Sequence, residues 1–156
     1  MPLVFAYGSN MQRAAMAQRC PASRPLGPAR LMRHRFVVLP QGYASVVPDV
    51  RGTIHGVLWD ASLADMRSLD RYENVAAGLY RKTIHPVLKA GGGTARAILY
   101  VGHGEGGRPQ PSYMEAVIAA ARDWALPESY IRELESFLSR SVAAAGPFSA
   151  LPRKTG

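Results

Sequence analysis

A chain of 156 residues, 47% of them apolar, is long enough to bury one hydrophobic core without metals or disulfides, so a single domain over residues 1–140 is expected. One cysteine, Cys20, excludes an internal disulfide framework and points to a reducing compartment, the cytoplasm, over secretion. The formal net charge of +8 would attract polyanions or acidic small molecules, yet the basic residues are scattered and lack the aromatic interleaving of a nucleic-acid surface.

The first residues, Met1 to Tyr7, carry no basic leader region, and their apolar run is too short for a signal peptide or a membrane span, so a soluble protein is expected. Leu3 to Tyr7 reads as a buried strand ended by Gly8. Asn10 has the chemistry of an N-cap, and Met11 to Cys20 has high helix propensity until Pro21 stops it. After a Pro- and Gly-punctuated connection, Ala29 to Leu39, Tyr43 to Val47 and Gly52 to Trp59 read as three strands. Ser62 with Asp65 forms a capping box and predicts a helix to about Tyr72 or Glu73, after which Gly78 restarts the chain. Leu79 to Leu88 and Thr94 to Val101 predict a hairpin across Gly91-Gly92-Gly93.

Ser112 with Glu115 suggests a second capping box, opening a helix to about Trp124. Pro127 starts a last helix with Ile131, Leu134, Phe137 and Leu138 on its apolar face. The tail from Ser141 is expected to be loosely ordered. Strands outnumber helices and include a hairpin, which predicts an α+β domain with a mixed, barrel-like sheet.

Two places carry chemistry. In Tyr7-Gly8-Ser9-Asn10, glycine admits close backbone approach and a helix opening next to it would aim free amides at a carboxylate; the same pattern also describes an ordinary strand-to-helix turn capped by Asn10. Ser9 lacks the second glycine of a nucleophile elbow and any His at informative spacing. In the helix before Glu73, Leu63, Met66 and Leu69 define an apolar stripe, and Glu73, seven residues after Met66, falls on it. Burial raises a carboxylate's pKa and makes it a better base at neutral pH. Alternatively the helix ends near Tyr72 and Asp70 and Glu73 are solvated, or pair with Arg71 or Arg81. His34, His55, His85 and His103 have no metal-ligand spacing, so no metal site is expected, and the glycine-rich stretch Gly102–Gly107 lacks the Lys-Ser/Thr of a phosphate loop. Tyr113, near a predicted helix start, is either a phenol pointed at a ligand or a surface aromatic.

Taken in order, Phe5-Ala6-Tyr7-Gly8-Ser9-Asn10-Met11, Gly52-Thr53-Ile54-His55-Gly56-Val57-Leu58-Trp59, Leu69-Asp70-Arg71-Tyr72-Glu73 and Gly78-Leu79-Tyr80 resemble the γ-glutamylcyclotransferase family. Pro109 to Tyr113 and Leu126 to Tyr130 extend the match. The resemblance implies a mixed β-barrel with flanking helices, no cofactor, and a small-molecule γ-glutamyl substrate that is cyclised to 5-oxoproline with release of the attached amine. It also implies that Glu73 is the general acid/base, that Tyr7, Gly8, Ser9 and Asn10 hold the γ-glutamyl group, and that Tyr80 and Tyr113 line the pocket. Ala125 stands where relatives often carry glycine, and Arg71 and Tyr72 depart from the mammalian pattern. Asn10 in place of leucine leans away from the glutathione-specific branch. The competing expectations are a non-catalytic small-molecule binding domain on the same scaffold and a nucleic-acid-associated protein.

Overall fold

Among the described residues, five strands and four helices follow one another as β1 (Leu3–Ala6), α1 (Arg13–Arg19), β2 (Arg24–Val38), β3 (Ala44–Asp60), α2 (Leu63–Tyr72), β4 (Tyr80–Lys89), β5 (Thr94–Gly102), α3 (Pro111–Asp123) and α4 (Glu128–Ala143), with a 3-10 turn at Ser9–Met11. In this computed structural model, which describes residues 2–143, the strands close into a barrel in the order β1-β3-β2-β4-β5. The sheet is mixed: consecutive members of that order pair antiparallel, while β1 meets β5 in parallel at Val4 opposite Ile98. The α+β barrel expectation holds. No helix among the described residues is long and apolar enough to cross a membrane.

Where the sequence suggested three strands, β2 and β3 make two. Where the register shifts between Met32 and His34, β2 passes through Arg33 alone, at φ +59°, while β3 passes through residues 49–52. Residues 49–52, left outside the ladder directly after Pro48, absorb the bend, so β3 runs on through that proline, whose missing N–H is tolerated beside such an irregularity. Gly27, at φ +105°, marks the second shift, which carries β2 back to Arg24 through the proline-rich stretch. Fully buried Phe5, Leu31, Ile54, Leu58 and Leu99 belong to the strands, and Met114, Val117, Ile131 and Leu134 pack from α3 and α4.

Helix ends correct three local expectations. Asn10 caps no helix: α1 begins at Arg13, and its N-cap position is Gln12. Ser112 lies inside α3, which Gln110 precedes and Pro111 opens, a place where a missing N–H costs nothing. Helix α4 continues through residues 141–143, into the segment expected to be loose; the remainder of that expected tail, 144–156, lies outside the described residues.

Helix α3 ends in a Schellman motif. The Ala125 N–H donates to Arg122 O at 2.9 Å and the Leu126 N–H to Ala121 O at 3.0 Å, which forces Ala125 to φ +54°. Glycine adopts that conformation freely and alanine does not. Ala125→Gly should therefore stabilise the fold by up to about 1 kcal/mol, part of the left-handed strain being offset by greater freedom of the unfolded chain. Urea denaturation would measure it; a destabilised variant would show that alanine is held there by packing that outweighs the strain.

Candidate active site

Strand β1 delivers the Tyr7–Asn10 segment to the barrel rim because it lies unusually close to β3. A Cβ at Gly56 would stand 2.3 Å from the Ala6 carbonyl oxygen and 2.8 Å from the Phe5 ring, so the spacing of the two strands requires glycine there. Beyond Gly8 the chain tightens into the 3-10 turn, with Met11 N–H on Gly8 O and Gln12 N–H on Ser9 O, both at 3.1 Å. Amides at the start of such a turn have no partner within it. The full α-helix begins only after this turn, so the amides that follow Gly8 open a 3-10 turn and not the helix terminus the sequence suggested. Trp124 fastens the turn, donating from Nε1 to Met11 O at 2.7 Å, and Arg13 lies 3.5 Å over the Trp124 ring while pairing with Asp123.

Helix α2 delivers the carboxylate. Its capping box is present as predicted: Ser62 Oγ accepts from Asp65 N–H at 3.0 Å, and Asp65 Oδ2 accepts from Ser62 N–H at 3.1 Å. Its far end is a Schellman motif in which Asn74, at φ +52°, donates to Arg71 O, and Val75 N–H donates to Asp70 O. Glu73 is the C-cap, only 5% exposed. The helix thus stops at Tyr72, as the less functional expectation had it, but the acid is buried and not solvated. The apolar stripe also needs correction: Leu63 is 74% exposed, and the buried face is Asp65, Met66, Leu69 and Tyr72. Asp70 turns the other way and accepts from Tyr100 Oη at 2.7 Å and Lys82 Nζ at 2.9 Å, not from Arg71 or Arg81.

The two elements meet in a narrow cleft of about 330 Å³, including its mouth, where Tyr7, Gly8, Ser9, Asn10, Glu73, Tyr80 and Tyr113 come together with Ala44 and Tyr100. All seven site residues named from the sequence therefore line one cavity. Asn10 Nδ2 donates to Glu73 Oε1 at 3.0 Å, and Ser9 Oγ lies 2.8 Å from Tyr72 Oη. Tyr7 donates to the Tyr100 carbonyl, and Tyr80 donates to the Ala44 carbonyl at 2.6 Å. The hydroxyl of Tyr113 accepts from Ala44 N–H at 3.4 Å and would lie 2.6 Å from a Cβ at Gly8, so a side chain at Gly8 would displace that phenol. Burial pushes the Tyr7 and Tyr80 phenols well above the ordinary tyrosine range, with Glu73 contributing to both, and burial followed by the hydrogen bond to Asp70 raises Tyr100 as well. These three phenols stay neutral donors around the carboxylate.

Tyr100 lines the cleft, and Arg19 and Tyr72 stand behind it against Asn10 and Ser9; none of the three was named as a site residue from the sequence. Arg19 falls on the last turn of α1 among other basic residues, and Tyr100 on a strand, so neither spacing nor motif marks them. A larger surface groove of about 1300 Å³, likewise including its mouth, is lined by Phe36 and Phe137, but its acids, Glu105 and Glu133, are exposed and it holds none of the expected residues. Chemistry outweighs size here, because a buried carboxylate facing convergent donors is the rarer feature. Among the described residues no three of His, Cys, Asp and Glu are grouped to hold a metal ion.

Comparison with known proteins places this geometry. The model of the AIG2-like family matches residues 53–134, more than half of the chain. A γ-glutamylcyclotransferase of Homo sapiens is 26% identical over 146 residues, covering 86% of this chain and 77% of the relative; one from Bos taurus is 27% identical over the same span. Among solved structures, a γ-glutamyl cyclotransferase superposes with a TM-score of 0.80 at 22% identity, covering 99% of this chain and 93% of its own. YkqA from Bacillus subtilis gives 0.72 at 24% identity, covering 97% of this chain and 55% of its own. The barrel, the family match and the similar proteins agree, and the chain belongs to the AIG2-like, γ-glutamylcyclotransferase family.

Proposed function

We propose that this cleft cyclises a γ-glutamyl compound to 5-oxoproline and releases the amine attached to its γ-carbonyl. The observation that carries the reading is the buried Glu73 carboxylate, held by Asn10 at 3.0 Å and facing the 3-10 turn across the cleft. The names of the similar proteins support it.

The reaction needs little from the protein beyond position and one proton carrier. The substrate's α-amine is the nucleophile, held within its own molecule at a high effective concentration. Glu73 takes a proton from the α-ammonium; the amine nitrogen bonds to the γ-carbon; Glu73 hands that proton to the leaving nitrogen as its bond to the carbon breaks, and the second proton shed by the ring nitrogen on forming the lactam goes with the amine, which departs as an ammonium. No water is consumed. The amides of Ser9 and Asn10 at the start of the 3-10 turn are the donors for the α-carboxylate or for the oxyanion formed on the γ-carbonyl. Tyr7, Tyr80 and Tyr113 wall the cleft, and Gly8, bare of a side chain, leaves room for the Tyr113 hydroxyl in that wall. No nucleophilic serine is required, in keeping with Ser9 facing the Tyr72 hydroxyl instead of a histidine.

Glu73→Gln should keep the fold and much of the ligand affinity but lower release of 5-oxoproline by roughly a hundredfold or more, the effect typical of removing a general acid/base. Near-normal turnover in the folded variant would remove Glu73 from the mechanism.

The neutral phenols give a second check. Tyr7 and Tyr80 titrate above their unfolded value, so the native state keeps protons that the unfolded chain loses above about pH 10, and stability should decline as pH rises through that range. Spectrophotometric titration should show a late fraction that ionises only with unfolding, and Tyr7→Phe should subtract from that fraction. A loss from the early fraction would contradict the burial argument.

A further inference from the structure

We propose that Arg19 is a positioning residue for this reaction, fixing the Asn10 side-chain amide so that its nitrogen, and not its oxygen, meets Glu73. The inference rests on the reading of Glu73 as the general base. Arg19 Nη1 donates to Asn10 Oδ1 at 2.6 Å, and Asn10 Nδ2 donates to Glu73 Oε1 at 3.0 Å. A primary amide has one acceptor end and one donor end, and guanidinium is a donor with no acceptor. The atom of Asn10 that faces Arg19 must therefore be oxygen. The end that faces Glu73 must then be the NH2, and the Glu73 oxygen it reaches must offer a lone pair and not a proton.

Rotated by half a turn, the same amide would set its oxygen against the carboxylate, and that arrangement is tolerable only with Glu73 protonated, the wrong form to accept a proton from the substrate. Arg19 is itself held from a second side. Its guanidinium lies 3.6 Å over the Tyr72 ring, and the Tyr72 hydroxyl is 2.8 Å from Ser9 Oγ. Stacking suits the planar guanidinium and not the ammonium of lysine. Arg19 thus ties the last turn of α1 to both the binding turn and the end of α2, without reaching the cleft wall that the substrate touches.

The test compares steady-state kinetics on a γ-glutamyl substrate for Arg19→Met, Arg19→Lys and Asn10→Ala, with thermal melts to establish folding and Glu73→Gln alongside. Arg19→Met, which keeps an apolar stem over Tyr72, should lower kcat by about tenfold to a hundredfold, the scale of a misplaced catalytic group, with KM little changed. Lysine, which restores a donor for Asn10 Oδ1, should recover part of that loss. In an Asn10→Ala background Arg19→Met should cost nothing more, because its effect passes through Asn10. Should Arg19→Met not fold, Arg19→Leu takes its place in the same comparison. Full kcat in the folded Arg19 variant, equal losses with methionine and lysine, or losses that add to that of Asn10→Ala would overturn the inference while an impaired Glu73→Gln leaves the cyclotransferase reading intact. Full activity in Glu73→Gln would instead remove the base, and the role of Arg19 with it.

Discussion

A carboxylate taken out of water needs hydrogen-bond donors in place of the lost hydration, and the penalty without them is several kcal/mol. Glu73 is buried at the C-terminal end of α2, where the helix dipole favours cations. Neither burial nor dipole recommends an acid at that position for the stability of the fold. Asn10 supplies a donor, and the requirement that it do so ties the turn after β1 to the end of α2. Much of the surrounding structure serves that contact: the close approach of β1 and β3 at Gly56, the anchoring of the turn by Trp124, and the Schellman motif that stops α2 with Glu73 facing inward.

The barrel contributes rigidity at the rim. Tyr7 and Tyr80 are fixed by backbone carbonyls of Tyr100 and Ala44, so their rings wall the cleft with little freedom to reorient. Sites built on strands and helix ends hold their groups more closely than sites on long loops. An acid placed against dipole and dielectric, surrounded by neutral phenols, is the kind of local conflict that folds keep where chemistry requires it.

Much of this was legible in the sequence. The capping box at Ser62 and Asp65, the hairpin across Gly91–Gly93 and the seven cleft residues were all readable, because caps, turns and glycines have local chemical causes and the ordered motifs carried the resemblance to a family. What was not legible depends on partners distant in sequence. Asn10 has the chemistry of a cap, but Glu73, 63 residues away, takes its amide. Leu63 fits the helical period on paper, yet the buried face is set by where α2 meets the barrel, one position round the helix. Pro48 reads as a strand breaker until pairing with β2 resumes at Thr53 and makes residues 49–52 the irregularity that accommodates it. Arg19 has no local signal, since its role comes from the three elements that converge on it.

The chemistry divides on which atom attacks the γ-carbonyl. Intramolecular attack by the α-amine needs one base and no water, and a cleft with a single buried carboxylate is suited to it. Hydrolysis would put an oxygen from solvent into the product. The most direct test is mass spectrometry of the products formed from a γ-glutamyl substrate in heavy-oxygen water, run beside the same substrate with its α-amine acetylated. Unlabelled 5-oxoproline from the free amine and no cleavage of the acetylated compound are predicted; labelled glutamate as the first product would contradict the cyclotransferase reading.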